Sequence, residues 1–182
     1  MQHRLSTLLL HISPTDLLNV IGKAGQAGID PAMARLAHWA REDPELAVDV
    51  AFKAAEAIVE VHRGIGVGLR AGVDAAGNDM IDTAAYGATL LLMGYIILWV
   101  FTQVADEGQK ALLMRRLEGL KGAEGGDLMG IMRGEMRFGG GSDGGRQPRA
   151  LFRSAAEILM KFGTWGVALD MAMLWHRRAE GQ

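Results

Sequence analysis

The sequence predicts an all-α protein, a helical bundle of about five to six helices. Two observations predict this fold class. Apolar residues recur at spacings of three and four in several segments that begin at a proline or a capping residue. A further stretch, 83–105, has no charged residue and is about as long as the roughly 20 residues that cross a hydrocarbon core. We expect this stretch to be a transmembrane helix on which other helices pack.

Length and composition restrict the classes of function. At 182 residues and 19.6 kDa, the chain is long enough for one domain with a core. With a formal net charge of -2, the chain has no excess of positive charge that would attract nucleic acid, so we do not expect nucleic acid as a partner. The absence of cysteine excludes disulfides and thiolate chemistry.

Three helix starts stand out in the first third of the chain. Ser13, Asp30 and Asp43 each precede a proline and carry a side-chain oxygen that can cap free backbone N–H groups. The second of these predicts a short helix over 31–41, and the third predicts a long helix from Pro44. Apolar residues of the long helix recur on one face: Leu46, Val50, Ala54, Ile58 and Val61.

Two sets of glycines recur every four residues, a spacing that aligns them on one side of a helix. The sets are Gly64, Gly68 and Gly72, and Gly126, Gly130 and Gly134. Because such a stripe lets another backbone approach closely, we expect both sets to be helix-packing positions. For the first set an alternative stays open: the glycines at 64–68 end the long helix, since each interior glycine costs roughly 1 kcal/mol relative to alanine.

The central stretch 83–105 also has aromatic residues placed near its ends. Tyr86 lies near one end, and Tyr95 and Trp99 lie toward the other, where they can reach the two membrane interfaces. Asp106 and its neighbour Glu107 follow and are expected to cap the next helix. In that helix Leu112, Leu113, Leu117 and Leu120 are expected inside, and Lys110, Arg115, Arg116 and Glu118 outside.

The last helix has one continuous apolar face and a charged opposite face. A second membrane span over about 152–175 is an open alternative, but three charged residues argue against a lipid-facing helix: Glu157, Lys161 and Asp170. The predicted organisation is one structural unit with five regions. These are an amphipathic helical region at 1–82, the transmembrane helix at 83–105, a helical region at 106–138, a glycine-rich loop at 139–147 and a C-terminal amphipathic helix at 148–182.

The residues predict no catalytic, cofactor or metal site. Five histidines are scattered, and none is paired with another at the spacing that places two ligands on one helix face. Asp170 is a candidate buried charge because it shares a helix face with Phe152 and Leu159. A buried arginine partner is its structural explanation, and a proton or cation site is its functional one.

Three functions fit these patterns. The first is a small membrane subunit with a structural role in a larger complex, which docks on other subunits or on a second copy of itself. Its expected location is a lipid bilayer, and the amino-acid composition favours the inner membrane of a bacterium. The second is a soluble, cytoplasmic all-α oligomeric interaction module with a buried central helix. The third is a component of a helical enzyme or transporter whose site needs another chain. The sequence identifies neither a host complex nor a ligand.

Overall fold

The chain is all-α in the computed structural model, which describes residues 10–22, 25–70, 79–120, 122–138, 151 and 153–156. The helices are α1 (Pro14–Val20), α2 (Gln26–Glu42), α3 (Pro44–Arg70), α4 (Asp79–Val104), α5 (Glu107–Leu117) and α6 (Ala123–Phe138). A further helical segment, called the C-terminal segment here, covers 153–156. The described ranges contain no strand, which confirms the predicted fold class.

Helix α1 begins where the sequence predicts. The Ser13 hydroxyl accepts a hydrogen bond from the backbone N–H of Asp16 at 3.2 Å, which satisfies one of the free donors at the helix start. The Asp16 carboxylate then ties α1 to α2 because Arg35 donates to both of its oxygens, with a shortest distance of 2.6 Å. The side chain of Asp16 is 12% exposed and that of Arg35 is 56% exposed.

This ion pair makes stability depend on pH. Hydrogen bonding from Arg35 lowers the pKa of Asp16 below its ordinary value, against the opposing effect of burial. At this carboxylate the unfolded chain therefore binds a proton more readily than the folded one. The contribution of the ion pair to the free energy of unfolding is present above the ordinary pKa and is lost as pH falls through the lowered pKa. We expect wild type to exceed Asp16→Asn in urea stability at neutral pH and to approach it at acid pH. The control is Asp127→Asn, which changes an exposed carboxylate on α6. If wild type and Asp127→Asn differ in stability with the same pH dependence, the assignment of the effect to the pair of Asp16 and Arg35 is contradicted.

Helix α2 begins earlier than predicted. The expected start at Asp30 and Pro31 is wrong, because α2 starts at Gln26 and contains Pro31. Gly25 precedes it with φ 74°, a left-handed conformation that favours glycine. Pro31 has no backbone N–H, so the helix lacks one hydrogen bond near its start. Burial of Ala32, Leu36 and Ala40, which lie four residues apart on one face, anchors the rest of the helix.

Helix α3 begins at Pro44 as predicted, with Asp43 accepting from the backbone N–H of Leu46 at 3.1 Å. It runs through Gly64 and Gly68 to Arg70, so the alternative that these glycines end the helix is wrong. The predicted apolar face is buried at Val50, Ala54, Ile58 and Val61, with Leu46 partly buried. Further buried residues widen that face: Ala47, Val48, Ala51, Ala55, Ala57 and Val59.

Helix α4 lies at the centre of the core and packs mainly against α3, with contacts to α1 and α2. Its side chains are buried on every face over two turns and more: Leu90, Leu91, Leu92, Met93, Tyr95, Ile96, Ile97, Leu98, Val100, Phe101 and Thr102. The chain's own helices thus cover this half of the stretch 83–105. Over the described ranges, none of the helices combines the length and apolarity that a membrane crossing requires. The transmembrane part of the fold prediction at 83–105 therefore has no support there, and most of the second expected span, 152–175, lies outside these ranges.

Helix α3 lies close to α4 at Gly94. A Cβ atom at this position would lie 3.0 Å from Ile58 Cγ1, 3.2 Å from Ile58 Cδ1 and 3.3 Å from the carbonyl oxygen of Ala54. These distances are shorter than the 3.5–4.0 Å optimum for carbon contacts. The absence of a side chain at Gly94 is therefore what lets the two central helices pack at this distance.

Helices α5 and α6 close the other side of α3. Asp106 caps α5, as predicted, and Leu113 and Leu117 are buried beneath it. The expected exposure of Lys110 is wrong: its side chain is 10% exposed, and its ammonium group reaches Glu107 at 3.1 Å at the surface. A lysine can bury its aliphatic stem in this way while the charge stays near water.

Candidate functional site

The predicted glycine sets lie in different environments. Gly64 and Gly68 belong to the last turns of α3, while Gly72 lies outside the described residues. Asp170, the candidate buried charge, also lies outside them. The packing role of the first set and the role of Asp170 therefore stay predictions.

The second set lies on one side of α6 and faces open space. A Cβ atom at Gly126, Gly130 or Gly134 would meet no atom of the described residues within 4 Å. We call these three residues the α6 glycine face. On the opposite side of α6, Leu128 and Met132 are buried in the core. The helix thus packs its apolar side against its own chain and turns the three glycine positions outward.

Ion pairs hold α6 against the rest of the bundle. Arg63 of α3 reaches Glu124 at 3.6 Å, and Arg133 of α6 reaches Glu118 at 3.4 Å. Gly122, with φ 99°, leaves room for the first pair, because a Cβ there would lie 2.9 Å from Arg63 Nη2. These exposed pairs are weak individually, but they orient the helix from both sides. The α6 glycine face is therefore carried by a helix fixed at several points.

The geometry of this face suits contact with another helix. Eight residues separate Gly126 from Gly134, which corresponds to a strip about 12 Å long. Without Cβ atoms along it, a second backbone can approach closely and gain van der Waals contact along the strip. Asp127 and Arg133, both exposed, stand beside the strip and supply charge of both signs at its border.

A second feature is a hydrogen-bonded cluster inside the bundle, formed by His62, Tyr95 and Ser154. Tyr95 is 1% exposed, and its hydroxyl lies 2.9 Å from the Ser154 Oγ and 3.4 Å from the His62 Nε2. The three side chains come from α3, α4 and the C-terminal segment. Leu151, Ala155 and Ala156 beside Ser154 are buried in the same core. The cluster therefore joins three helical parts of the chain at one point.

Among the described residues, this cluster does not place a histidine or carboxylate base against the Ser154 hydroxyl. A serine nucleophile needs a general base in contact with its own hydroxyl. Here the phenol of Tyr95 is the group that contacts Ser154, and the imidazole of His62 lies against that phenol. The Tyr95 hydroxyl can donate to His62 and accept from Ser154, or it can donate to Ser154 and accept from His62. Both hydrogen bonds can therefore form with either tautomer of the imidazole.

Replacing Tyr95 by phenylalanine is expected to destabilise the chain by about 1–3 kcal/mol, because it removes the two hydrogen bonds that the buried phenol makes with Ser154 and His62. Urea unfolding measures the loss, and hydrogen exchange of the amides at 153–156 reports whether the C-terminal segment loosens. The matched variant is Ser154→Ala, alone and combined with Tyr95→Phe. Strictly additive losses in this double-mutant cycle would contradict a direct bond between the two hydroxyls.

The histidines that the structure describes do not form a metal site together. His11 and His38 are exposed, and His38 pairs with Glu42 at 3.1 Å on the outside of α2. In the described portion of the chain, no three histidine or acidic side chains are grouped as a metal ion requires. His3 and His176 lie outside that portion.

Sequence reasoning did not find the cluster of His62, Tyr95 and Ser154. It interpreted Tyr95 as a membrane-interface residue and assigned no role to the other two. Tyr95 is separated from His62 by 33 residues and from Ser154 by 59 residues. No periodicity or short motif brings such positions together, because their proximity depends on how three helices pack. The only local signal is that the hydroxyl residue Ser154 directly precedes two small apolar residues, Ala155 and Ala156.

Comparison with known proteins adds no assignment, since no protein-family model, no curated protein and no solved structure matches this chain. The function is therefore argued from the geometry of the chain itself.

Proposed function

We propose that this chain is an all-α interaction module that docks on another protein helix through the α6 glycine face. The observation that supports this proposal is the open space beside Gly126, Gly130 and Gly134, on a helix whose other side is packed into the core. A glycine in an exposed helix position costs roughly 1 kcal/mol relative to alanine. Two exposed glycines, Gly126 and Gly130, in register with the half-buried Gly134, are explained if the missing side chains make room for a partner.

The burial of α4 supports a self-contained bundle as the framework of this module. From Leu90 to Thr102 every residue is buried except Trp99, which is partly buried. A helix that is apolar all round needs cover on all sides, and here the chain's own helices supply it. The central helix then acts as the core, and α6 acts as the binding element.

Site-specific photo-crosslinking tests the docking surface directly, because a short photoreactive side chain captures only a protein that lies beside it. A photoreactive residue at Gly130 is compared with one at Ala111, an exposed small residue on α5, in the full chain expressed in its source cells. We expect protein crosslinks from position 130 well above those from position 111, to a second copy or to another subunit. Equal crosslinking from the two positions would sink the proposal.

A bulky side chain at Gly130 is expected to block docking without unfolding the chain. Gly130→Leu adds volume to open space and removes an unfavourable helix glycine, so the free energy of unfolding should stay constant or rise by up to about 1 kcal/mol. Crosslinking from the neighbouring position 126 should fall to background. Ala111→Leu makes a comparable change on α5 and should leave that crosslinking intact; if both variants reduce it equally, the effect is not specific to the face.

The second candidate function is a membrane subunit of a larger complex, in a bacterial inner membrane. The uncharged stretch 83–105 favours it, because it is about as long as the roughly 20 residues of a membrane-spanning helix. In this function the α6 glycine face would dock on neighbouring subunits. Fractionation separates the two candidates: retention in membranes after alkaline carbonate washing supports the membrane subunit. Recovery as a monodisperse species without detergent supports the bundle.

A further inference from the structure

We draw no further inference here: the strongest candidate, the partly buried cluster of His62, Tyr95 and Ser154 where α3, α4 and the C-terminal segment meet, belongs to the site already described.

Discussion

Replacing Gly94 by leucine is expected to destabilise the chain by about 3 kcal/mol or more. The added Cβ would lie 3.0 Å from Ile58 Cγ1 and 3.3 Å from the carbonyl oxygen of Ala54, and the rest of the side chain needs further space in a filled core. Because whole domains have a free energy of unfolding of only about 5–15 kcal/mol, this loss is a large part of the total. Urea unfolding followed by far-UV circular dichroism measures it.

The size of the effect depends on which neighbour can move. The far end of Ile58 is a flexible side chain, whereas Ala54 contributes backbone that is fixed within α3. Gly94→Ala therefore has two opposing contributions: a gain of about 1 kcal/mol from helix propensity and a loss from the short contacts. Gly94→Leu retains the loss and enlarges it. The series glycine, alanine, leucine should thus show a small first step and a large second step.

The matched control for Gly94→Leu is Gly130→Leu, the same substitution in another helix. At Gly130 an added Cβ atom would meet no atom of the described residues within 4 Å, so no loss of stability is expected. Combining Ile58→Ala with Gly94→Leu should cost less than the sum of the single changes, because the shortened side chain leaves room for the leucine. If the two glycine variants are equally stable, or if the losses add strictly, the close approach of α3 and α4 is contradicted.

The contrast between these glycines shows what the sequence could predict about packing. The four-residue glycine stripes were the visible pattern, yet the glycine at which α3 lies close to the central helix is Gly94, which belongs to neither stripe. A glycine needed for close packing is defined by the residue across the interface, here Ile58, and that residue is set by tertiary structure. Periodicity along one helix does not contain this information.

Helix starts were predictable because their causes are local. Ser13, Asp43 and Asp106 each bond a backbone N–H three residues on, so the signal and its effect lie within one turn. The start of α2 was predicted wrongly because the strongest local signal, Pro31, does not lie at the helix start. Pro31 is a strong local signal for a first turn, but the helix already begins at Gln26, directly after Gly25 with φ 74°, and continues through the proline.

The central helix shows a different limit of sequence reasoning. An uncharged stretch of the length of 83–105 fits a bilayer or the centre of a protein core, since both environments are apolar on all sides. Hydropathy cannot separate the two, because it measures the helix and not what surrounds it. The described half of α4 is surrounded by protein, and only the packing of the neighbouring helices reveals this.

Replacing Gln109 by leucine is expected to cost about 2–4 kcal/mol, although the side chain keeps a similar size. Gln109 is 6% exposed and its amide makes two bonds: Oε1 accepts from the backbone N–H of Asp106 at 2.9 Å, and Nε2 donates to the carbonyl oxygen of Ala40 at 2.8 Å. Both partners belong to helix ends, where backbone groups lack intrahelical partners. Leucine would leave the buried carbonyl oxygen of Ala40 without this donor, and it would remove the acceptor for the backbone N–H of Asp106 at the exposed start of α5.

This glutamine therefore joins the last turn of α2 to the first turn of α5. The pattern of an aspartate followed three residues later by a glutamine is a form of the capping box, so the sequence contains the local half of the interaction. The bond to Ala40 crosses 69 residues and depends on the fold. Capping alone would contribute about 1 kcal/mol, so a larger loss in Gln109→Leu measures the added value of the bond to α2.

Two further variants at this junction separate the two bonds. Gln109→Glu retains an acceptor for Asp106 but places a carboxylate against the carbonyl oxygen of Ala40, so we expect it to be no more stable than Gln109→Leu at neutral pH. It should recover part of the loss at acid pH, where a protonated carboxyl group can donate to that carbonyl. Gln103→Leu, at an exposed position of α4, is the control and should cost less than about 0.5 kcal/mol. Equal losses at positions 103 and 109 would show that the junction between α2 and α5 does not depend on this amide.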